Sequence, residues 1–158
     1  MSTRKSAQEI WLTRPQKDRE TWNNFRRAAG HVIGSVDSDL QQHLDIGYTD
    51  VDALLQLSTA DGQCLRMARL ARAVARTPSA LTRLVDRLEN RALVVRTRRS
   101  RTDVLVEVTP LGLDLLARAA PRILDEVESR FWSLLTPRER DTLSAICQKL
   151  LDGENTSC

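Results

Sequence analysis

Nowhere in the 158 residues does an apolar run approach the roughly 20 needed to cross a bilayer. The opening stretch, Met1 to Ser6, has no apolar segment of the kind a signal peptide carries, so the expected location is the cytoplasm and no membrane partner is expected. Cysteine is scarce. Cys64, Cys147 and Cys158 are odd in number, widely spaced and without a Cys-x-x-Cys pair, which excludes a disulfide framework and a structural zinc site and suits a reducing compartment. There is no internal repeat and no low-complexity linker. Catalytic signatures are missing too: no Ser-His-Asp arrangement, no glycine-rich phosphate loop and no paired carboxylates in a plausible cleft. An enzyme is therefore not expected, nor is a cofactor or a resident metal.

What is present is an ordinary single-domain composition, 41% hydrophobic and 28% charged, which argues against wholesale disorder. The charge is unevenly spread. The net value is only +3, yet between Leu65 and Asp103 eleven arginines face three acids, Asp86, Glu89 and Asp103. That segment carries +8 and the remainder −5. A basic lobe on an acidic body is the electrostatic footprint of a surface meant for a polyanion.

Residues 1–15 are polar, contain Pro15 and read as a loose arm. From about Gln16 to Asp45, Trp22, Phe25, Ala29, Val32, Ile33, Val36, Leu40 and Leu44 recur at helical spacing, with a C-terminal cap expected near Gly47. Thr49 begins a second helix packed through Val51, Leu54, Leu55 and Leu57, closed by the Asp61-Gly62 turn. Leu65 to Ala75 reads as a third helix. Thr77-Pro78 supplies a capping hydroxyl and a first-turn proline for a fourth, whose Leu81, Leu84, Val85 and Leu88 fall on one face. Leu93-Val94-Val95 and Val104 to Val108 read as the two strands of a hairpin with a very basic tip. Thr109-Pro110 opens a long helix that Pro121 is expected to bend, and Thr136-Pro137 a last one that Gly153 stops. The fold class is mainly α with a small β-hairpin wing. The expected plan is a dimerisation helix over 16–46, a winged helix-turn-helix over 47–109, C-terminal dimerisation helices over 110–153 and a tail over 154–158.

Two short helices, a tight turn and a basic hairpin form a constellation with specific physics. The second short helix must bury one face while offering the other to the major groove of double-stranded DNA. Its outward positions are Ser79, Ala80, Thr82, Arg83, Asp86 and Arg87. Arginine bonds guanine in two places, hydroxyls reach bases or phosphates, and alanine touches a thymine methyl. Exposed N–H groups from Thr77 to Ala80 can hold a phosphate. Arg98, Arg99 and Arg101 at the hairpin tip suit backbone or minor-groove contact, and Arg69 and Arg72 suit phosphates.

The segment Ser79-Ala80-Leu81-Thr82-Arg83-Leu84-Val85-Asp86-Arg87-Leu88-Glu89 is the most distinctive part of a stretch, Met67 to Val95, that resembles the core of the MarR family. Val108-Thr109-Pro110-Leu111-Gly112 resembles it as well, and the likeness runs over about residues 20–150. The resemblance implies a homodimer built from the first and last helices. It also implies repression of nearby genes, relieved by a small, often aromatic, ligand bound between the dimer and DNA-binding parts. One departure is visible: the family's Asp-x-Arg before the second wing strand is replaced by Ser100 and Thr102, with Arg101 between. The wing-tip contact then falls to Arg99 or Arg101.

Smaller signals point to alternatives. Trp22, Arg26, His31 and Tyr48 are candidate ligand-binding residues, because apolar walls with a few polar groups suit an aromatic acid. Asp39 and His43, at i and i+4, invite a metal hypothesis, but His31 is ~a third of a turn away from that face. Cys64, read as preceding a helix and close to Arg66, invites a redox-responsive one. Peroxide-sensing members of the resembled family carry their reactive cysteine in the first helix, where this chain has none. A non-DNA protein-interaction module built on the basic lobe is a further alternative.

Overall fold

The computed structural model describes residues 6–98, 100 and 103–155. In chain order the elements are α1 (Ala7–Leu12), α2 (Gln16–Leu44), α3 (Tyr48–Ser58), β1 (Cys64–Arg66), α4 (Met67–Ala73), α5 (Pro78–Asn90), β2 (Val94–Arg98), β3 (Val104–Val108), α6 (Pro110–Arg130) and α7 (Pro137–Asn155). Mainly helical with a small antiparallel sheet, this is the expected fold class. The α6 helix continues through Pro121 without interruption.

The last helix, α7, runs through Gly153 to Asn155 instead of stopping at the glycine; three further local differences from the sequence reading have identifiable causes. The segment read as a loose arm contains α1, because Ser6 and Glu9 form a reciprocal capping box: Ser6 Oγ accepts from the Glu9 N–H at 3.2 Å, and Glu9 Oε2 accepts from the Ser6 N–H at 2.6 Å. The helix expected from Leu65 instead begins at Met67, because Cys64 to Arg66 pair with the free edge of β3. The sheet is therefore three-stranded, in the order β1-β3-β2, with Leu65 opposite Val106 and Val94 opposite Val108. Finally, α2 ends on Asp45 in the left-handed conformation (φ 52°), and Gly47 serves as N-cap of α3 rather than capping α2.

The core joins α3, α4, α5, the sheet and the facing halves of α2 and α6. Leu40, Ile46, Leu54, Leu57, Leu70, Leu81, Leu88 and Val106 are 0–1% exposed. Burying each such side chain stabilises the fold by about 1.5–3 kcal/mol before entropy is counted. One close approach locks the wing to α6. A Cβ on Gly112 would stand 2.3 Å from the Leu93 carbonyl oxygen and 2.7 Å from Val108 Cγ2, so only glycine fits there. Thr109 secures the same joint, donating its hydroxyl to the Ala92 carbonyl at 2.7 Å and capping α6 at Gly112 N. Burial stops at the ends of the chain. No described residue of α1 or α7 is buried, and the first buried residue of α2 is Val36.

Candidate nucleic-acid interface

Helix α5 is positioned by its own sequence. Thr77 is the N-cap, its Oγ1 accepting from Ala80 N at 3.3 Å, and Pro78 fills the first helical position. The preceding turn closes through Ala75, at φ 50°, and a 2.9 Å bond from Arg76 N to the Ala71 carbonyl. Leu81, Leu84, Val85 and Leu88 are at most 2% exposed, while Ser79, Ala80, Thr82, Arg83, Asp86 and Arg87 are exposed. The leucines hold the helix down and leave its polar side open. Thr82 Oγ1 donates to the Pro78 carbonyl at 2.9 Å, so this hydroxyl is oriented by its own helix.

The arginines of the basic lobe divide into two sets that the sequence does not separate. Arg69 and Arg83 are exposed and have no side-chain partner among the described residues, and Arg98 closes β2 in the same condition. Arg72 makes only a 3.5 Å contact to the Ala68 carbonyl of its own helix. The others are committed to the protein. Arg76 donates to Thr49 Oγ1 at 2.9 Å, Arg91 to the Asp45 carbonyl at 2.5 Å, and Arg66 pairs with Asp103 at 3.2 Å. Arg87, expected to face a nucleic acid, donates to Asp50 Oδ1 at 2.6 Å and so braces α5 against α3. Arg99 and Arg101, the candidate wing-tip contacts, lie outside the described residues.

The four candidate ligand-binding residues do not converge. His31 lines a hollow of about 530 Å³ between α2 and α6 with Ser38, Asp39, Gln42, Glu126 and Arg130. Arg26 meets His31 only on the adjoining surface, beside Asn24 and Arg27. Trp22 belongs to a separate shallow hollow with Trp11 and Arg19, its ring 6.2 Å from that of Phe25. Tyr48 is half-buried against the core, where burial and the nearby Asp52 charge raise its pKa. The polar wall supplied by Glu126 and Arg130 escaped the sequence reading, since only the fold brings α6 beside α2. In that wall the Glu126 carboxyl is held below its usual range by hydrogen bonds from Arg130 and Ser35.

Asp39, half of the candidate metal pair, accepts from Arg122 at 3.1 Å on both oxygens and lies 3.0 Å from His43 Nδ1. Its carboxylate is the centre of an ion-pair network, and among the described residues no three His, Cys, Asp or Glu side chains cluster to hold an ion. Cys64 opens β1 rather than preceding a helix directly, so the helix terminus invoked for its reactivity lies two residues further on, at Arg66.

Arg96 is a residue that the sequence reading does not single out and the fold brings against α5. It sits on β2 on the same face as buried Val94, and two-residue alternation along the strand is the signal that would have turned it toward α5.

Residues 44–103 match the model of the MarR family. No curated protein matches the chain. Among solved structures, the chain is similar to Sco3205 of Streptomyces coelicolor, a MarR family transcriptional regulator in complex with DNA. That match has 25% identity and a TM-score of 0.83 over 89% of this chain and 92% of that one. The MepR–DNA complex of S. aureus is 25% identical with a TM-score of 0.71, covering 82% of this chain and 93% of the other. AbsC, another S. coelicolor MarR family regulator, gives 23% identity and a TM-score of 0.82 over 91% and 98%.

Proposed function

We propose, from the premise that this chain is a MarR-family winged helix-turn-helix protein, that it is a transcriptional regulator that reads an operator in duplex DNA as a homodimer. The observation that carries the reading is α5. Its apolar side is sealed against the core, and its other side presents Ser79, Ala80, Thr82 and an unpaired Arg83. Arg69 and Arg72 on α4 flank it as phosphate contacts, and Arg98 does so from the wing. Two such helices, related by a twofold axis, fit half-sites about 10 bp apart in a pseudo-palindrome.

The homodimer is supported by what the ends of the chain leave uncovered. Ile10, Leu12, Trp22, Ile146, Leu150 and Leu151 are 51–58% exposed, on α1, the N-terminal half of α2 and α7, where no described residue is buried in one copy. An apolar surface of that extent on a small chain calls for a partner, and a second copy offers the same surface. Repression by occupancy of the operator follows, with release by a small ligand. The hollow beside His31 suits that ligand in size, and its wall of Asp39, Gln42, Glu126 and Arg130 favours a polar effector over a purely aromatic one.

The reading is tested by gel-shift titration of Arg83→Ala and Arg69→Ala on a duplex selected from a random pool and on its scrambled version. Arg83→Ala should cost about 1–3 kcal/mol on the selected site and relax preference at one base position. Arg69→Ala should weaken both duplexes alike and lower the salt slope by about 1. Equal loss on both duplexes for Arg83→Ala would contradict the assignment of α5 as the reading helix.

A further inference from the structure

The wing and the reading helix are joined by one side chain. Arg96 Nη2 lies 2.5 Å from Asp86 Oδ1 and 3.3 Å from the Thr82 carbonyl oxygen, while its Nε is 3.6 Å from Glu89 Oε2. The Arg96 backbone N–H adds a 3.1 Å bond to Glu89 Oε1. Thr82, Asp86 and Glu89 stand at i, i+4 and i+7 and so line one side of α5, which a single planar guanidinium on β2 spans. Only 24% of the Arg96 side chain is exposed, against 49% for Asp86 and 41% for Glu89. The cation is therefore sunk between the two elements rather than offered to solvent.

We infer that Arg96 is a positioning residue for DNA binding, one that fixes the angle between wing and reading helix without touching DNA itself. The inference rests on the reading of α5 and the wing as the DNA-binding surface. Two consequences follow from the geometry. Asp86 and Glu89 are the only acids on α5, and both are answered by Arg96, so the helix meets phosphates with its negative charges already compensated. Its two ion pairs are also the only side-chain ion pairs between β2 and α5 among the described residues, so releasing them lets the β2–β3 ribbon swing while the leucine anchor of α5 stays in place.

Three features separate this role from a phosphate contact. A phosphate-binding arginine is largely replaced by lysine, lowers the salt slope when removed and acts wherever the backbone passes. A planar clamp is not replaced by lysine, because an ammonium has no fork to span Asp86 and Glu89.

The test compares wild type, R96A and R96K on the selected duplex, measuring Kd across a salt series together with hydroxyl-radical footprints. Far-ultraviolet circular dichroism controls for folding, and R96K carries the same test should R96A fail to fold. Both variants are expected to bind about tenfold more weakly, with the salt slope lowered alike in R96A and R96K by the wing contacts they lose, and with protection lost at the wing-contacted flanks but kept in the major groove. Wild-type affinity in both variants, rescue by lysine, or a slope lowered in R96A but kept in R96K would each overturn the inference. Failure of wild type itself to prefer the selected duplex would instead strike the functional reading beneath it.

Discussion

At the residue scale, what separates Arg83, free for the proposed DNA contact, from Arg87, committed to the protein, is where the nearest acid lies. Arg83 and Arg87 occupy neighbouring turns of one helix and are chemically identical, yet Arg87 finds Asp50 at 2.6 Å and Arg83 finds nothing among the described residues. Exposed pairs of this kind contribute about 0.2–1 kcal/mol, enough to set a side chain's resting direction without burying it. The distinction was not legible in the sequence. Asp50 is separated from Arg87 by 37 residues, and Asp45 from Arg91 by 46, and no periodicity links them. The inward leucines of α5, by contrast, were readable, because their helical spacing is a local property. Gly112 is a residue-scale constraint of another kind. Its missing side chain lets α6 touch the Leu93 carbonyl, so Gly112→Ala must push α6 off the wing. The expected loss is about 1–3 kcal/mol, seen as a lower urea midpoint with an unchanged m-value; an unaltered midpoint would show that the joint yields freely.

At the scale of elements, the long helices and both wing strands follow from caps and hydrophobic periods that the sequence displays. Thr77-Pro78, Thr109-Pro110 and Thr136-Pro137 each open a helix where expected. What failed to show was β1. Cys64-Leu65-Arg66 has no β-branched residue, and it becomes a strand only because β3 presents an unpaired edge to it. A short strand captured by a distant partner is not encoded locally. Helix α7 makes the element-scale prediction. Its Ile146, Leu150 and Leu151 are 51–58% exposed in one copy, which suits an interface between copies. Leu150→Glu should shift the protein from dimer to monomer in sedimentation velocity and leave the helical content of the monomer near wild type. A variant that sediments as wild type would take α7 out of the interface.

At the scale of the whole molecule, function depends on a division of charge. The basic lobe holds the free arginines, the core lies just behind it, and the acidic remainder carries the uncovered apolar helices. Such a molecule approaches DNA through its charge and settles by its shape, so both contributions must appear in one titration. That the lobe is basic can be read from composition; which of its arginines stay open and which are held by the protein requires the fold.

The most direct test is the affinity of the intact protein for its selected duplex and for a scrambled duplex, followed from low to high salt. The expected result is a logarithm of affinity falling linearly with that of salt concentration on both duplexes. The selected site should hold an advantage on the order of 1,000-fold or more, shrinking when Arg83 is replaced by alanine. Equal affinity for the two duplexes at every salt concentration would contradict base reading by α5 and leave only a charged surface.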